Sequence, residues 1–194
     1  MSNAPARTFV AAASALALAG CAALAPSDKP AQRAAAFDLV GRVAVTFDGR
    51  NFSSGLRWQH AVERDEVWLM TPTGQALAHI QADDEGATLT GADRQTYRAA
   101  DVEALTRRGL GWELPVTRLA WWVRGELVPG SEAGEAVRDQ QGRLARFTQD
   151  GWSITLAHPG VEDRAGRPQR VELVRGGHQI RLVIDSWRDD GQSP

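Results

Sequence analysis

The chain has 194 residues, with 22 Lys and Arg against 24 Asp and Glu, a formal charge of −2. That balance disfavours a phosphate-backbone partner, so no nucleic-acid binding is expected. With 43% apolar and 24% charged residues, the composition is that of one globular domain and excludes wholesale disorder.

The first twenty residues carry Arg7 as their only charge, followed by Phe9, Val10 and an Ala/Leu run to Ala19. This reads as a secretory signal segment; its apolar stretch of about ten residues falls well short of the roughly 20 needed to cross a bilayer. Cys21, the single cysteine, follows Leu18-Ala19-Gly20, a pattern that resembles the bacterial lipobox. The resemblance implies a thiol that takes a diacylglyceryl group, a mature chain beginning at acylated Cys21, and a covalent lipid in place of any cofactor. Loss of residues 1–20 leaves 21 basic groups against 24 acidic ones and no free thiol, which removes disulfides, cysteine metal sites and cysteine nucleophiles together. Ala22, rather than Asp, follows the cysteine, and by the same resemblance this points to the outer membrane.

Residues 22–36 mix small, polar and proline residues without periodicity and read as a flexible tether. From Phe37 the period becomes two. Leu39, Gly41, Val43, Val45 and Phe47 share one parity, Asp48-Gly49 gives a hairpin turn, and Phe52, Ser54, Leu56 and Trp58 continue on a second strand. A third strand is expected to put Trp68 and Met70 inward, and Thr71-Pro72-Thr73-Gly74 to turn it into a fourth with Ala76, Ala78 and Ile80 on one face. Further strands are expected over 88–91 and 95–98.

Between about residues 100 and 125 the period becomes helical, with Val102 and Leu105 on one stripe and then Val116, Leu119, Trp122 and Val123. Pro115 suits a helix start, and Gly109 and Gly125 suit helix ends. The adjacent Trp121 and Trp122 are not expected to face the sheet together from one helix. Residues 126–141 read as loop. Strand periodicity resumes with Ala145 and Phe147, then Trp152, Ile154 and Leu156, then Val171 and Leu173, then Ile180, Leu182 and Ile184, with Gly176-Gly177 as a hairpin turn. The organisation is therefore a signal segment (1–20), a lipidated Cys and tether (21–36), a single domain (37–188) and a polar tail (189–194). The fold class is mainly β with a helical insertion (α+β): a curved antiparallel sheet or open barrel covered by short helices would bury every apolar parity at once.

Catalytic patterns are missing. His60, His79, His158 and His178 are scattered, without His-Glu-x-x-His or carboxylates at ligand spacing, so no metal site is expected. No Gly-x-Ser-x-Gly, Walker-type loop or dinucleotide fingerprint occurs, and no enzyme is expected. Seven Trp stand against one Tyr and five Phe; large rings on inward parities are core filler or cavity lining.

Through residues 37–188 the chain resembles the LolB family of outer-membrane lipoprotein receptors. The pieces that carry this are the lipobox, Leu56-Arg57-Trp58-Gln59, Thr71-Pro72-Thr73-Gly74, Tyr97-Arg98-Ala99, Leu114-Pro115 with Leu119, Trp122 and Gly125, and Gly177-His178-Gln179-Ile180-Arg181-Leu182 with Asp185 and Trp187. The resemblance implies an unclosed antiparallel β-barrel of about eleven strands covered by short helices as a lid, a monomer, and an enclosed apolar cavity for acyl chains. Its implied partners are the periplasmic carrier LolA, acylated cargo lipoproteins and outer-membrane phospholipid. Trp58, Trp68, Met70, Ile80, Leu119, Trp122, Trp152 and Leu156 are the expected cavity lining, and Pro72, Thr73 and Gly74 the expected membrane-facing loop tip. Thr73 stands where the family can carry a bulky apolar residue. A polar replacement, Leu119→Glu, is expected to block acceptance without unfolding the chain. The competing reading is a lipid-anchored scaffold whose strand faces bind protein, which predicts a filled core and a flat patch.

Overall fold

The computed structural model describes residues 33–160 and 166–189; Cys21, the signal segment and most of the expected tether lie outside them. Eleven antiparallel strands form one sheet: β1 (Phe37–Phe47), β2 (Arg50–His60), β3 (Asp65–Met70), β4 (Ala76–Asp83), β5 (Gly86–Gly91), β6 (Thr96–Ala99), β7 (Ala133–Arg138), β8 (Leu144–Gln149), β9 (Trp152–Ala157), β10 (Arg170–Arg175) and β11 (His178–Asp189). Two helices, α1 (Val102–Leu110) and α2 (Val116–Trp122), separate β6 from β7. The order β6-β5-β4-β3-β2-β1-β11-β10-β9-β8-β7 leaves β6 and β7 as unpaired edges, so the barrel is unclosed.

Alternation sets the inner face. Leu39, Val43 and Val45 of β1, Leu56 and Trp58 of β2, Ile80 of β4, Ile154 and Leu156 of β9, Val171 and Leu173 of β10, and Ile180 and Leu182 of β11 are all buried in one cluster. The tightest seam is β1 against β11, where the register shifts between Val40 and Gly41. A Cβ at Gly41 would lie 2.1 Å from the Val183 carbonyl oxygen, so only glycine lets the two backbones meet there. By register, Phe37, His60, Asp65 and Asp189 share one end of the sheet. The 48–49, 71–75 and 176–177 turns share the other end.

Several expectations need correction. In β3 the buried residues are Asp65, Val67 and Leu69, while Trp68 and Met70 occupy the outer face. Both parities of this strand are bulky, so size alone misassigns them. Cross-strand partners decide: Trp68 stacks on His79 with ring centroids 4.9 Å apart and an 8° interplanar angle, and the Arg57 guanidinium lies 5.5 Å from its ring. Gly109 lies inside α1; the helix ends at Gly111, whose φ of 80° is a left-handed cap. The segment expected as loop contains β7, an edge strand that is mostly exposed and bulged twice against β8. An edge strand without a buried face has no alternation to detect. Trp121 and Trp122 are both buried, so neither ring looks outward; after α2 the chain turns back, with Glu126 N–H donating to the Trp121 carbonyl. Ala34 is buried as well, so the segment before β1 is packed on the barrel rather than free from residue 33 onward.

Candidate functional site

Above the inner face sits α2, started by Pro115 at a φ of −79°. Its stripe of Val116 and Leu119, with Leu114 before it, faces Val43, Leu56, Trp58, Val67, Ile180 and Leu182 across a small apolar void. The void is about 10 Å³, room for one water at most. Around this void the described residues pack closely, and an apolar guest entering here must part the helix from the sheet.

Polar groups hold α2 in place at both ends. At its C-terminal end, buried Gln149 accepts from Trp122 Nε1 and from Val128 N–H, both at 3.0 Å, and donates to the Val128 and Ser131 carbonyls at 2.9 and 3.0 Å. Every polar atom of this amide is used, which is what a buried amide requires. Next to it, Arg118 donates to Asp150 at 2.7 Å and Ser131 donates to the same carboxylate at 2.5 Å. The Ser131 hydroxyl does most to hold the Asp150 carboxyl below its usual range, against opposing burial, and Arg118 adds to it.

At the N-terminal end, Glu113 accepts from Arg107 of α1 at 2.7 Å and from Arg175 of β10 at 2.6 Å. Burial alone would raise the Glu113 carboxyl, but the two guanidinium hydrogen bonds outweigh it and hold the carboxyl below its ordinary value. Arg175 also lies over the Trp152 ring at 4.2 Å. Thr106 of α1 accepts from Leu114 N–H at 3.0 Å, tying the interhelical loop to α1.

Of the expected lining residues, Trp58 and Leu119 border the void. Ile80, Trp122, Trp152 and Leu156 are buried in the surrounding core but do not border it, and Trp68 and Met70 lie on the opposite face. Val43, Leu56, Val67, Leu114, Val116, Ile180 and Leu182 also border the void; strand parity pointed inward for Val43, Leu56, Ile180 and Leu182 and the helical stripe for Val116, whereas Val67 lay on the parity expected to face out and Leu114 on no strand. Gln149 offered none, because a polar residue on an inward parity reads as an interruption. Leu119 is only 3% exposed, so an unpaired carboxylate there is expected to unfold the domain rather than leave it folded, correcting the expectation for Leu119→Glu.

Pro72, Thr73 and Gly74 form the exposed turn between β3 and β4, closed by Gly74 N–H donating to the Thr71 carbonyl at 2.9 Å. The Thr71 and Thr73 hydroxyls bond each other at 2.8 Å, so the tip is a self-satisfied polar turn. Among the described residues no cluster of three His, Cys, Asp or Glu side chains could hold a metal. A second concavity of about 660 Å³ is an open groove lined by Arg64, Asp83, Glu85 and Arg98 among others; its charge makes it unlike an acyl-chain site.

A model of the family described as outer membrane lipoprotein LolB matches residues 35–187. The chain belongs to the LolB family. It is 42% identical to the outer-membrane lipoprotein LolB of Thiobacillus denitrificans over 94% of this chain and 97% of that one. To LolB of Nitrosomonas europaea it is 37% identical, over 81% of this chain and 74% of the relative. Among solved structures it is similar to a putative outer membrane lipoprotein-sorting protein domain from Vibrio parahaemolyticus, with a TM-score of 0.51, 8% identity, and 82% and 87% of the two chains covered. That likeness speaks for the fold: an unclosed sheet roofed by helices is shared at an identity too low to carry residue roles.

Proposed function

We propose that this LolB-family chain is an outer-membrane receptor, anchored by a lipid on Cys21, that takes acylated lipoproteins from the carrier LolA into the barrel interior and passes them to outer-membrane phospholipid. The observation that carries this reading is the apolar interface between α2 and the inner face of the sheet, roofed by a short helix whose fastenings are polar and therefore separable without breaking the sheet.

No nucleotide is needed. Each buried methylene contributes about 0.8 kcal/mol, so three chains of about fifteen methylenes, fully buried, would sum to roughly 36 kcal/mol, beyond the ceiling of about 18 to 21 for non-covalent binding. Burial is therefore partial, and the quantity that matters is a difference. Two more methylenes buried than in the carrier give about 1.6 kcal/mol, slightly more than a tenfold preference. Trp58 and Leu119 meet the first chain to enter. Ile80, Trp152 and Leu156 become accessible only as α2 lifts, and Trp122 lies at the end of α2 that Gln149 holds. The Pro72-Thr73-Gly74 turn meets lipid through the exposed Pro72 ring, since Thr73 offers no large apolar surface.

Close packing under α2 is also what a scaffold would have, so the test must separate the two. A soluble form lacking residues 1–21 is mixed with a carrier loaded with a fluorescently labelled triacylated lipoprotein, without nucleotide or membrane. Transfer of label supports the receptor. A folded chain that takes no label overturns the reading in favour of the scaffold.

A further inference from the structure

Three tryptophans, Trp58, Trp122 and Trp152, are fully buried. An indole N–H only donates, along a direction fixed by the packed ring. Trp58 Nε1 donates to Asp65 at 2.7 Å and Trp122 Nε1 to Gln149 at 3.0 Å. Trp152 Nε1 is equally sequestered but has no hydrogen-bond partner among the described residues. Such a donor weakens the empty protein, and a phenylalanine would fill most of the same space without that cost. The only other unpartnered polar atom carried by a buried residue of the inner face is Ser54 Oγ, a hydroxyl that can turn and can also accept.

The surroundings of Trp152 select what could satisfy it. It opens β9 on the inner parity that Ile154 and Leu156 continue as bare hydrocarbon. The Arg175 guanidinium lies over its ring at 4.2 Å, and that charge is already matched by Glu113, to which Arg175 donates at 2.6 Å. The loop that carries Glu113 also lays Trp112 over Phe52 of β2, with ring centroids 5.8 Å apart, so one interhelical loop covers this end of the inner face. The missing acceptor is therefore neutral, joined to hydrocarbon, and admitted when that loop lifts. We propose that Trp152 Nε1 is the donor for an acyl carbonyl oxygen, that of the ester or amide linking a fatty chain to its cargo. This rests on the receptor reading and deepens it. Burial of hydrocarbon is non-directional and sets no register for a sliding chain; one fixed N–H does, holding the linkage at the Glu113 end while the chain runs along the inner face.

The test uses the mature lipidated chain in a fluorinated detergent, which mixes poorly with hydrocarbon, and two probes: methyl palmitate with an isotopically labelled carbonyl, and n-octadecane. Trp152→Phe removes the N–H and keeps an aromatic ring. Its affinity for methyl palmitate should fall about five- to tenfold, the worth of one neutral hydrogen bond, while its affinity for n-octadecane changes by no more than about twofold. In the wild type the labelled carbonyl stretch should lie below its position in hexane, and in the variant it should return there. Equal losses for both probes, or a hexane-like stretch in the wild type, overturn the proposal. If Trp152→Phe fails to fold, the stretch is read in Ser54→Ala: a lowered frequency that persists supports Trp152, and one that vanishes overturns it. Octadecane bound without these ester effects overturns the carbonyl site alone, whereas a wild type that binds neither probe overturns the receptor reading together with it.

Discussion

The two ends of α2 are fastened by different physics. At the C-terminal end Gln149, 2% exposed, makes four hydrogen bonds as a neutral amide. At the N-terminal end Glu113 is held by Arg107 and Arg175, whose side chains are 60% and 36% exposed. A buried neutral hub is insensitive to salt and costly to break, because each orphaned partner loses its solvation as well as its bond. A charged clasp at a wet rim is individually weak and responds to ionic strength and pH. The difference assigns a pivot and a release point to one seven-residue helix: the Glu113 end can part from β10 while the Trp122 end stays on β8.

The largest effect should come from the pivot. Gln149→Leu keeps the volume but strips partners from Trp122 Nε1, the Val128 amide and the Val128 and Ser131 carbonyls. We expect a loss of roughly 3 kcal/mol, read as a lower urea midpoint with unchanged slope. A loss below about 1 kcal/mol would mean that water already serves these groups and that no pivot exists.

At the release point the expected effect on stability is smaller and the effect on access larger. Glu113→Gln should cost at most about 1 kcal/mol while speeding uptake of a lipid probe by several-fold. Because the Glu113 carboxyl is held below its ordinary value, its contribution is complete above the ordinary carboxylate pKa and is lost as pH falls through the lowered value. Wild-type uptake should therefore quicken in acid and in high salt, and uptake by Glu113→Gln should respond less to both, with the response that is left coming from the Arg118–Asp150 pair. If instead the variant takes up the probe at the wild-type rate, entry runs elsewhere, and the open edge at β6 is the next place to look.

Much of this was legible in the chain. The inward parities of β1, β2, β9, β10 and β11 follow from strict alternation around turns marked by Asp48-Gly49 and Gly176-Gly177, and α2 starts where Pro115 marks it. What failed did so where local pattern carries no information. Trp68 is turned outward by Arg57 and His79 on neighbouring strands, and β7 has no buried face. Gln149 and Asp65 sit on inward parities where a polar residue makes sense only once its distant partners, Trp122 and Val128 or Trp58 and His60, are in view. Of the six strand residues facing α2 across the void, all but Val67 are visible as inward, but their selection from among all inward residues is a property of packing.

The smallest effect tests whether the rim charges are tuned or merely tolerated. Glu103, in the first turn of α1, is raised above its ordinary value chiefly by burial, with the Asp101 charge adding and Arg118 only partly opposing. One of its carboxylate oxygens is buried without a hydrogen bond, and Arg118, 3.9 Å away, is committed to Asp150. A carboxyl whose folded pKa is raised stabilises the fold in its protonated form, and that contribution is lost as pH rises through the raised value. Glu103→Gln copies the protonated form, so it should stabilise the domain at pH 8 by about 0.5 kcal/mol and make no difference at pH 4. Thermal unfolding at the two pH values checks this. A variant that is less stable at pH 8 would show that Arg118 does pair with Glu103, making the rim a continuous Glu103–Arg118–Asp150 network that fastens the middle of α2 and blurs the distinction between its two ends.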